Sequence, residues 1–370
     1  TFSGVLTLPA WNFGPYFGGW VVDKSSGSIY MGQGFDFNTG FIVVRLTTTG
    51  LYDNFTTVGN PNFRENWKMI WNCNAGSPQI IVAGGGTNSD INLGLFSPPS
   101  TFINGTNITG ISGIAFQDMA DMVIDPLTNS MYTLYASGSV PSLNNALYKH
   151  NQPYSPATKI WNVATGYTVL QEAANRPYFG GTGLQENSVN VLAVNASYLF
   201  YWDGRNLKAF DKVSGAVVGT ALTITTNASL MQGGIVADAC NNIYVGSSNG
   251  TIKVYKFNGS IFDDAAAPDI TVSGYESKPV YDLAYNEQHR LIYACGDGFV
   301  ASFDVSPYCA NTTYTINIAP DCSNGNIVAT VSPVPPAGSL VNFILFDGAT
   351  QIASNTTGIF NGLIPQVNYT

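Results

Sequence analysis

The sequence predicts an all-β protein: a β-propeller with six blades favoured, followed by an immunoglobulin-like β-sandwich. Three observations carry this. A short apolar–polar phrase recurs six times at a spacing of roughly fifty residues, the period of four-stranded propeller blades. Only 10% of residues are charged, while Gly (39), Tyr (20) and Phe (21) are abundant, a mixture suited to short strands and tight turns. Near Cys309 the repeat stops and a different strand pattern begins.

The phrase is an apolar run, an Asp or Asn, a polar turn, and a second apolar run usually centred on an aromatic. It reads Val21-Val22-Asp23 with Ile29-Tyr30-Met31-Gly32, Ile70-Trp71-Asn72 with Ile80-Ile81-Val82, and Val123-Ile124-Asp125 with Met131-Tyr132. It returns as Ala193-Val194-Asn195 with Leu199-Phe200-Tyr201, Val236-Ala237-Asp238 with Ile243-Tyr244-Val245-Gly246, and Ala284-Tyr285-Asn286 with Ile292-Tyr293-Ala294. The Asp or Asn has a local role, because its side chain bonds nearby backbone amides and holds the turn.

Third strands follow at 41–46, 91–96, 146–150, 207–210, 252–257 and 300–303, several of them alternating apolar with polar residues. Asn249-Gly250 is a hairpin signal in the fifth repeat. Fourth strands are expected near Thr56–Val58, Ile108–Ile111, Tyr167–Leu170, Ala221–Thr225 and Ile270–Val272. The sixth repeat lacks one. The N-terminal strand Thr1–Leu8 has no repeat of its own and is expected to supply it, closing the ring and leaving no open edge. The long stretch from Ile160 to Gly183 admits a seventh blade.

The propeller is expected over residues 1–308. Residues 309–370 read as a sandwich of short strands, Thr313–Ile318, Ile327–Val331, Val341–Phe346 and Gln351–Ala353, with an Asp347-Gly348 turn. The pattern ends one strand early, so the sandwich is read as the incomplete start of a longer stalk.

A net charge of -9 with sparse Lys and Arg argues against nucleic-acid binding. No apolar run is long enough to span a bilayer as a helix. The chain opens at Thr1 with no leader, which reads as a mature exported chain whose signal peptide has been removed. Of five cysteines, Cys240 and Cys295 lie in neighbouring repeats, and Cys309 and Cys322 sit close together; either pair is a candidate disulfide, with buried free thiols as the alternative. Sequons such as Asn54, Asn104, Asn107, Asn249 and Asn311 are candidate glycan acceptors, although Asn249 also suits a tight turn.

Catalytic parts are scarce, and no catalytic residue is assigned. There are two histidines: His150 ends a strand and His289 sits in a turn, where a surface role is favoured. No nucleophile elbow, zinc-protease motif or P-loop occurs. A glycosidase needs two carboxylates facing a sugar, but most aspartates fall at turns. No cofactor is expected. Calcium alone has candidate ligands, at Asp263, Asp264 and Asp269, with a second acidic group at Asp118, Asp121 and Asp125. For recognition, Trp11, Phe13, Tyr16, Phe17 and Trp20 form an aromatic cluster spaced by glycines, suited to stacking on a sugar or anchoring a protein; the favoured alternative is a structural role, plugging the propeller channel or lining contacts between blades.

Ala237-Asp238-Ala239-Cys240-Asn241-Asn242-Ile243-Tyr244-Val245-Gly246 resembles the blade signature of large exported propeller proteins of the Bacteroidota. Val280–Tyr285 and Phe299–Asp304 continue it. Cys322–Val331 and Gly358–Leu363 resemble the sandwich units of gliding-motility-associated adhesins of the SprB-repeat type. The resemblance is clearest from about residue 232 onward. It implies a non-enzymatic surface adhesin, exported through the outer membrane by type IX secretion, with the propeller at the tip of a stalk. Its partners would be a surface glycan or protein and a secretion-system or outer-membrane component. The alternatives are a carbohydrate-binding or carbohydrate-cleaving propeller and a structural subunit of a secreted assembly.

Overall fold

A computed structural model of the chain describes residues 17–23, 26–33, 42–49, 52–56, 68–72, 79–83, 93–97, 101–106, 118–136, 146–166, 190–202, 206–223, 233–309, 315–321, 326–332 and 341–361. The protein is all-β, made of several small antiparallel sheets. It divides into two compact units, Thr1–Val305 and Ser306–Thr370. Among the described residues no helix is long and apolar enough to cross a membrane.

Each sheet of the first unit is a meander in chain order. The first comprises β1 (Phe17–Val22), β2 (Ile29–Gln33), β3 (Ile42–Leu46) and β4 (Tyr52–Thr56). The second comprises β5 (Lys68–Asn72), β6 (Gln79–Ala83), β7 (Leu93–Ser97) and β8 (Thr101–Thr106). The third holds β9 (Asp118–Ile124), β10 (Met131–Ala136), β11 (Ala146–His150) and β12 (Lys159–Ala164). The fourth holds β13 (Leu192–Val194), β14 (Tyr198–Trp202), β15 (Asn206–Asp211) and β16 (Val217–Thr223). The fifth has β17 (Ile235–Ala237), β18 (Asn242–Gly246) and β19 (Thr251–Phe257), whose outer edge pairs with both β20 (Phe262–Asp263) and β21 (Ile270–Thr271). The sixth has β22 (Val280–Asn286), β23 (Leu291–Gly296) and β24 (Phe299–Asp304).

The fourth strands begin earlier than the sequence pattern suggests. Thr101–Thr106 and Lys159–Ala164 already complete their sheets, and in the fifth sheet Phe262–Asp263 precedes the expected Ile270–Val272. Tight turns return the chain at once after the third strand: Gly215, with φ +75°, closes the Asp211 turn and leads straight into β16. Ile108–Ile111, Tyr167–Leu170, Thr1–Leu8 and most of the stretch read as a seventh blade lie outside the described residues.

Burial explains why the second and third strands are so apolar. In β14, Leu199 and Tyr201 face the third sheet and pack with Tyr132, Leu134 and Leu147. The alternate residues, Phe200 and Trp202, face the fifth sheet and pack with Ile243, Val245 and Phe257. Both faces of the strand are covered, so its pattern is a continuous apolar run rather than an alternation. The second and third sheets meet in the same way through Ile81, Leu93, Met122 and Met131. The outer strands β12 and β16 are mostly exposed or half-buried. The first strands neighbour one another in succession, β1 with β5, β5 with β9, β9 with β13, β13 with β17 and β17 with β22.

In the third, fourth and fifth sheets the Asp or Asn that follows the first strand caps its own turn. Asp125 accepts from the Leu127 N–H (2.9 Å), Asn195 from the Ser197 and Tyr198 N–H groups (2.9 Å each), and Asp238 from those of Cys240 (2.8 Å) and Asn242 (2.9 Å). These turns also join sheets. The Lys212 ammonium donates to Asp125 Oδ2 (2.8 Å) and to the Asn195 carbonyl (2.7 Å), and Asn195 Nδ2 donates to the Asp238 carbonyl (2.9 Å). Burial pushes the Asp125 carboxyl up, but the Lys212 ammonium and the hydrogen bonds from Leu127 and Thr128 outweigh it and hold it below the usual carboxylate range.

The second unit contains a sheet of β25 (Thr315–Asp321), β26 (Asn326–Ser332) and β29 (Ile359–Phe360), and a hairpin of β27 (Phe343–Asp347) and β28 (Thr350–Asn355). Gly348, at φ +59°, makes the hairpin turn after Asp347.

Lys212 is the cation that neutralises a fully buried carboxylate, so Lys212→Ala leaves Asp125 charged and uncompensated. The expected cost is about 3–5 kcal/mol, read as a lower midpoint in urea unfolding. The double variant Asp125→Leu/Lys212→Met is expected to lose less than Lys212→Ala alone.

Candidate functional site

The residue four places before each turn Asp or Asn lies where the first strands approach one another. Those residues are Gly19, Lys68, Asp121, Val191, Gly234 and Asp282. Two are glycines because neighbouring backbone occupies their side-chain space. A Cβ at Gly19 would lie 2.5 Å from the Met69 nitrogen. A Cβ at Gly234, where φ is +80°, would lie 2.4 Å from Asp282 Oδ1.

The two aspartates are presented by the same device. Register shifts leave one extra residue on the first strand, Ala120 in β9 and Tyr281 in β22. The bulge re-aims the side chain that follows it. Asp121 Oδ1 then accepts from the Met122 N–H (2.8 Å) and Asp282 Oδ1 from the Leu283 N–H (2.9 Å). Met122 and Leu283 are buried and pin each strand.

The polar groups form a connected set. Lys68 Nζ lies 3.3 Å from Asp121 Oδ1. Asp121 Oδ2 accepts from the backbone N–H groups of Val191 (2.7 Å) and Leu192 (2.9 Å). Asn190 Nδ2 donates to Asp282 Oδ1 (2.8 Å) and the Leu283 carbonyl (3.1 Å). This link from the residue two places before β13 to β22 runs beside Gly234, just before β17, where a Cβ would lie 2.4 Å from Asp282 Oδ1. Loss of water raises the Asp282 carboxyl to about 6. The Asp121 charge adds to the rise, while Lys68, the Leu283 N–H and Asn190 oppose it.

These groups border a cavity of about 490 Å³ lined by Gly19, Trp20, Lys68, Asn190, Asp282 and Leu283, and by Ala284, Tyr293, Ala294, Cys295 and Val300 of the sixth sheet. Trp20 is 61% exposed there and Tyr293 42%. One wall is therefore aromatic and wet, and the other carries an ammonium, an amide and a carboxylate. Cys295 is a free, exposed thiol on that wall, its pKa raised by partial burial and by the Asp282 charge.

Of the predicted recognition aromatics, Trp20 reaches the cavity. Phe17 opens β1, but its side chain lies outside the described residues, as do Trp11, Phe13 and Tyr16. The calcium candidates do not gather: the carboxylates of Asp263, Asp264 and Asp269 are not grouped within 4.8 Å of one another. Asp269 is bound by the Lys253 ammonium (2.5 Å) and the Val254 N–H (3.1 Å), and Asp263 accepts from the Ala265 N–H (2.9 Å). Asp121 and Asp125 serve different clusters, one with Lys68 and one with Lys212; Asp118 lies in β9 with its side chain outside the described residues. His150 is buried and stacked on Tyr148 at 6.1 Å, and His289 is exposed in its turn.

The candidate Cys240–Cys295 disulfide does not form: Cys295 is free, while Cys240 and Cys309 are each in a disulfide. Cys240 sits in the turn after β17, whereas Cys295 lies within β23 facing the cavity, so nearness in the repeat does not bring the two sulfurs together. Cys322, the proposed partner of Cys309, lies outside the described residues.

Sequence reasoning missed Lys68, Asn190 and Asp282. For Lys68 and Asp282 the signal was the repeat itself: aligned on the turn residue, the fourth position before it reads Gly, Lys, Asp, Val, Gly, Asp, a column where charge replaces apolar residues; Asn190 lies outside it. Compared with known proteins, the chain matches no family model and no curated protein.

An acid whose folded pKa is raised contributes most to stability below its unfolded value near 4, and that contribution is lost as pH rises through about 6. Asp282→Asn keeps an oxygen for the Leu283 and Asn190 donors but removes the charge. The variant is expected to match the parent at pH 3.5 and to melt about 2–5 °C higher at pH 8, with the gap opening between pH 4 and 6 in a thermal-melt series.

Proposed function

We propose that Thr1–Val305 is a six-bladed β-propeller acting as a non-enzymatic recognition module at a bacterial cell surface. The propeller reading is supported by six meandering sheets, by first strands that neighbour one another in chain order, and by face-to-face packing of the second to fifth sheets. Residues from β1 and β22 line one cavity, an arrangement that supports the reading of a closed ring. In this reading Thr1–Leu8 completes the sixth blade. The second unit, with its three-stranded sheet and hairpin, is read as part of an immunoglobulin-like sandwich in a stalk. Export by the type IX route, an outer-membrane partner and a role in adhesion belong to the same proposal.

The observation that carries recognition is Trp20. A large apolar side chain left mostly in water beside a cavity with converging polar groups is a contact surface in waiting. Catalysis is disfavoured because both Asp121 oxygens are already taken by backbone N–H groups, leaving Asp282 without a second working carboxylate beside it. Many such modules on one surface turn weak contacts into firm attachment.

The test is to immobilise the full chain, measure retention on arrays of surface glycans and surface proteins, and analyse the same glycans for products. Retention without cleavage is expected. Hydrolysis products, or no retention on any array, would overturn the reading.

A further inference from the structure

We propose that the cavity beside Trp20 is a binding site for a neutral saccharide residue, stacked on the indole and hydrogen-bonded through its hydroxyls to Lys68 and Asp282. The inference rests on the recognition reading above and names the ligand class of that site.

Size comes first. About 490 Å³ falls inside the range of roughly 300–1,000 Å³ typical of small-molecule sites. The lining is two-sided. Trp20, Tyr293 and Val300 are exposed apolar surfaces, with Val300 81% exposed. A pyranose has one face of C–H groups that covers an aromatic ring and a periphery of hydroxyls that needs polar partners. An all-apolar ligand would leave Asp282 Oδ2 and the remaining donors of Lys68 without partners in the cavity.

The polar partners select hydroxyls over ions. Asp282 Oδ1 takes both hydrogen bonds that the described residues give this carboxylate, from Asn190 and Leu283, and its Oδ2 accepts none from them. Lys68 has an ammonium with three donors and is paired with Asp121 at 3.3 Å, a contact that leaves capacity for another acceptor. A hydroxyl is donor and acceptor at once, so it can give to Asp282 Oδ2 while another receives from Lys68. A cationic ligand would face the Lys68 ammonium, and an anionic sugar the Asp282 carboxylate in a chain of net charge -9.

The site is also preorganised. Gly19 lets β1 approach β5, the bulge at Tyr281 aims Asp282, and Asn190, just ahead of β13, fixes its orientation. The aromatic and polar walls thus come from backbone locked by the packing of separate sheets, which lowers the ordering cost of binding.

The experiment uses the full chain with methyl α-mannopyranoside, methyl β-galactopyranoside, N-acetylglucosamine and maltose as neutral probes, glucuronate as the anion, and tetramethylammonium as the cation. Binding is followed by tryptophan fluorescence and by protection of Cys295 from alkylation, located by mass spectrometry. At least one neutral probe is expected to saturate with a Kd of about 0.1–10 mM, shift the tryptophan emission and slow Cys295 alkylation. Trp20→Ala and, independently, Val300→Arg are expected to weaken it at least tenfold; both positions are exposed, so unchanged melting confirms folding. The assignment is overturned if no neutral probe saturates, if glucuronate or tetramethylammonium alone binds, or if both variants bind as the parent does. Array retention that persists in both variants would sink this site while leaving the recognition reading intact.

Discussion

Two-sided burial of the sheets is the constraint on which the rest of the first unit depends. A sheet with one wet face can sit at the edge of a structure, but β14 and β18 bury nearly every side chain on both faces. Such sheets are stable only as the filling between two others. Tyr201 and Phe200 point in opposite directions from adjacent positions, and each is fully buried against a different neighbour. A slip of one residue in register would exchange the two sets and break both interfaces, so the packing fixes the pairing as firmly as the hydrogen bonds do.

Stacking sheets in this way crowds their first strands together, and the crowding has consequences for chemistry. Backbone approaches so closely at Gly19 and Gly234 that no side chain fits. Where a side chain does fit, it is cut off from water, and its polar groups must be satisfied by protein. Asp121 is satisfied by three backbone N–H groups and an ammonium. Asp282 accepts from one backbone N–H and one amide, and its removal from water raises its pKa to about 6. The same architecture therefore produces a structural carboxylate and a carboxylate with spare capacity from equivalent positions.

The turn acids show the opposite use of the same residue type. Asp125 and Asp238 end first strands and turn their carboxylates onto local amides, a role fixed by short-range geometry. Lys212 then adds a long-range element by bridging Asp125 to the Asn195 carbonyl of the next sheet. Local capping and inter-sheet fastening are served by one residue, so the recurring Asp or Asn is structural in two senses.

By itself the sequence determined the all-β class, the recurring strand phrases, most of the strand positions and the capping role of the turn acids, because all of these follow from interactions a few residues apart. It also named Trp20 as one of five clustered aromatics. Tertiary structure alone decided that Lys68, Asn190 and Asp282 share a cavity, that Asp263, Asp264 and Asp269 do not gather, and that Cys295 stays free while Cys240 is bridged. Those outcomes turn on bulges at Ala120 and Tyr281 and on glycines that let separate sheets approach; the repeat marks the position of Lys68 and Asp282, but not which residues dozens or hundreds of positions away they meet.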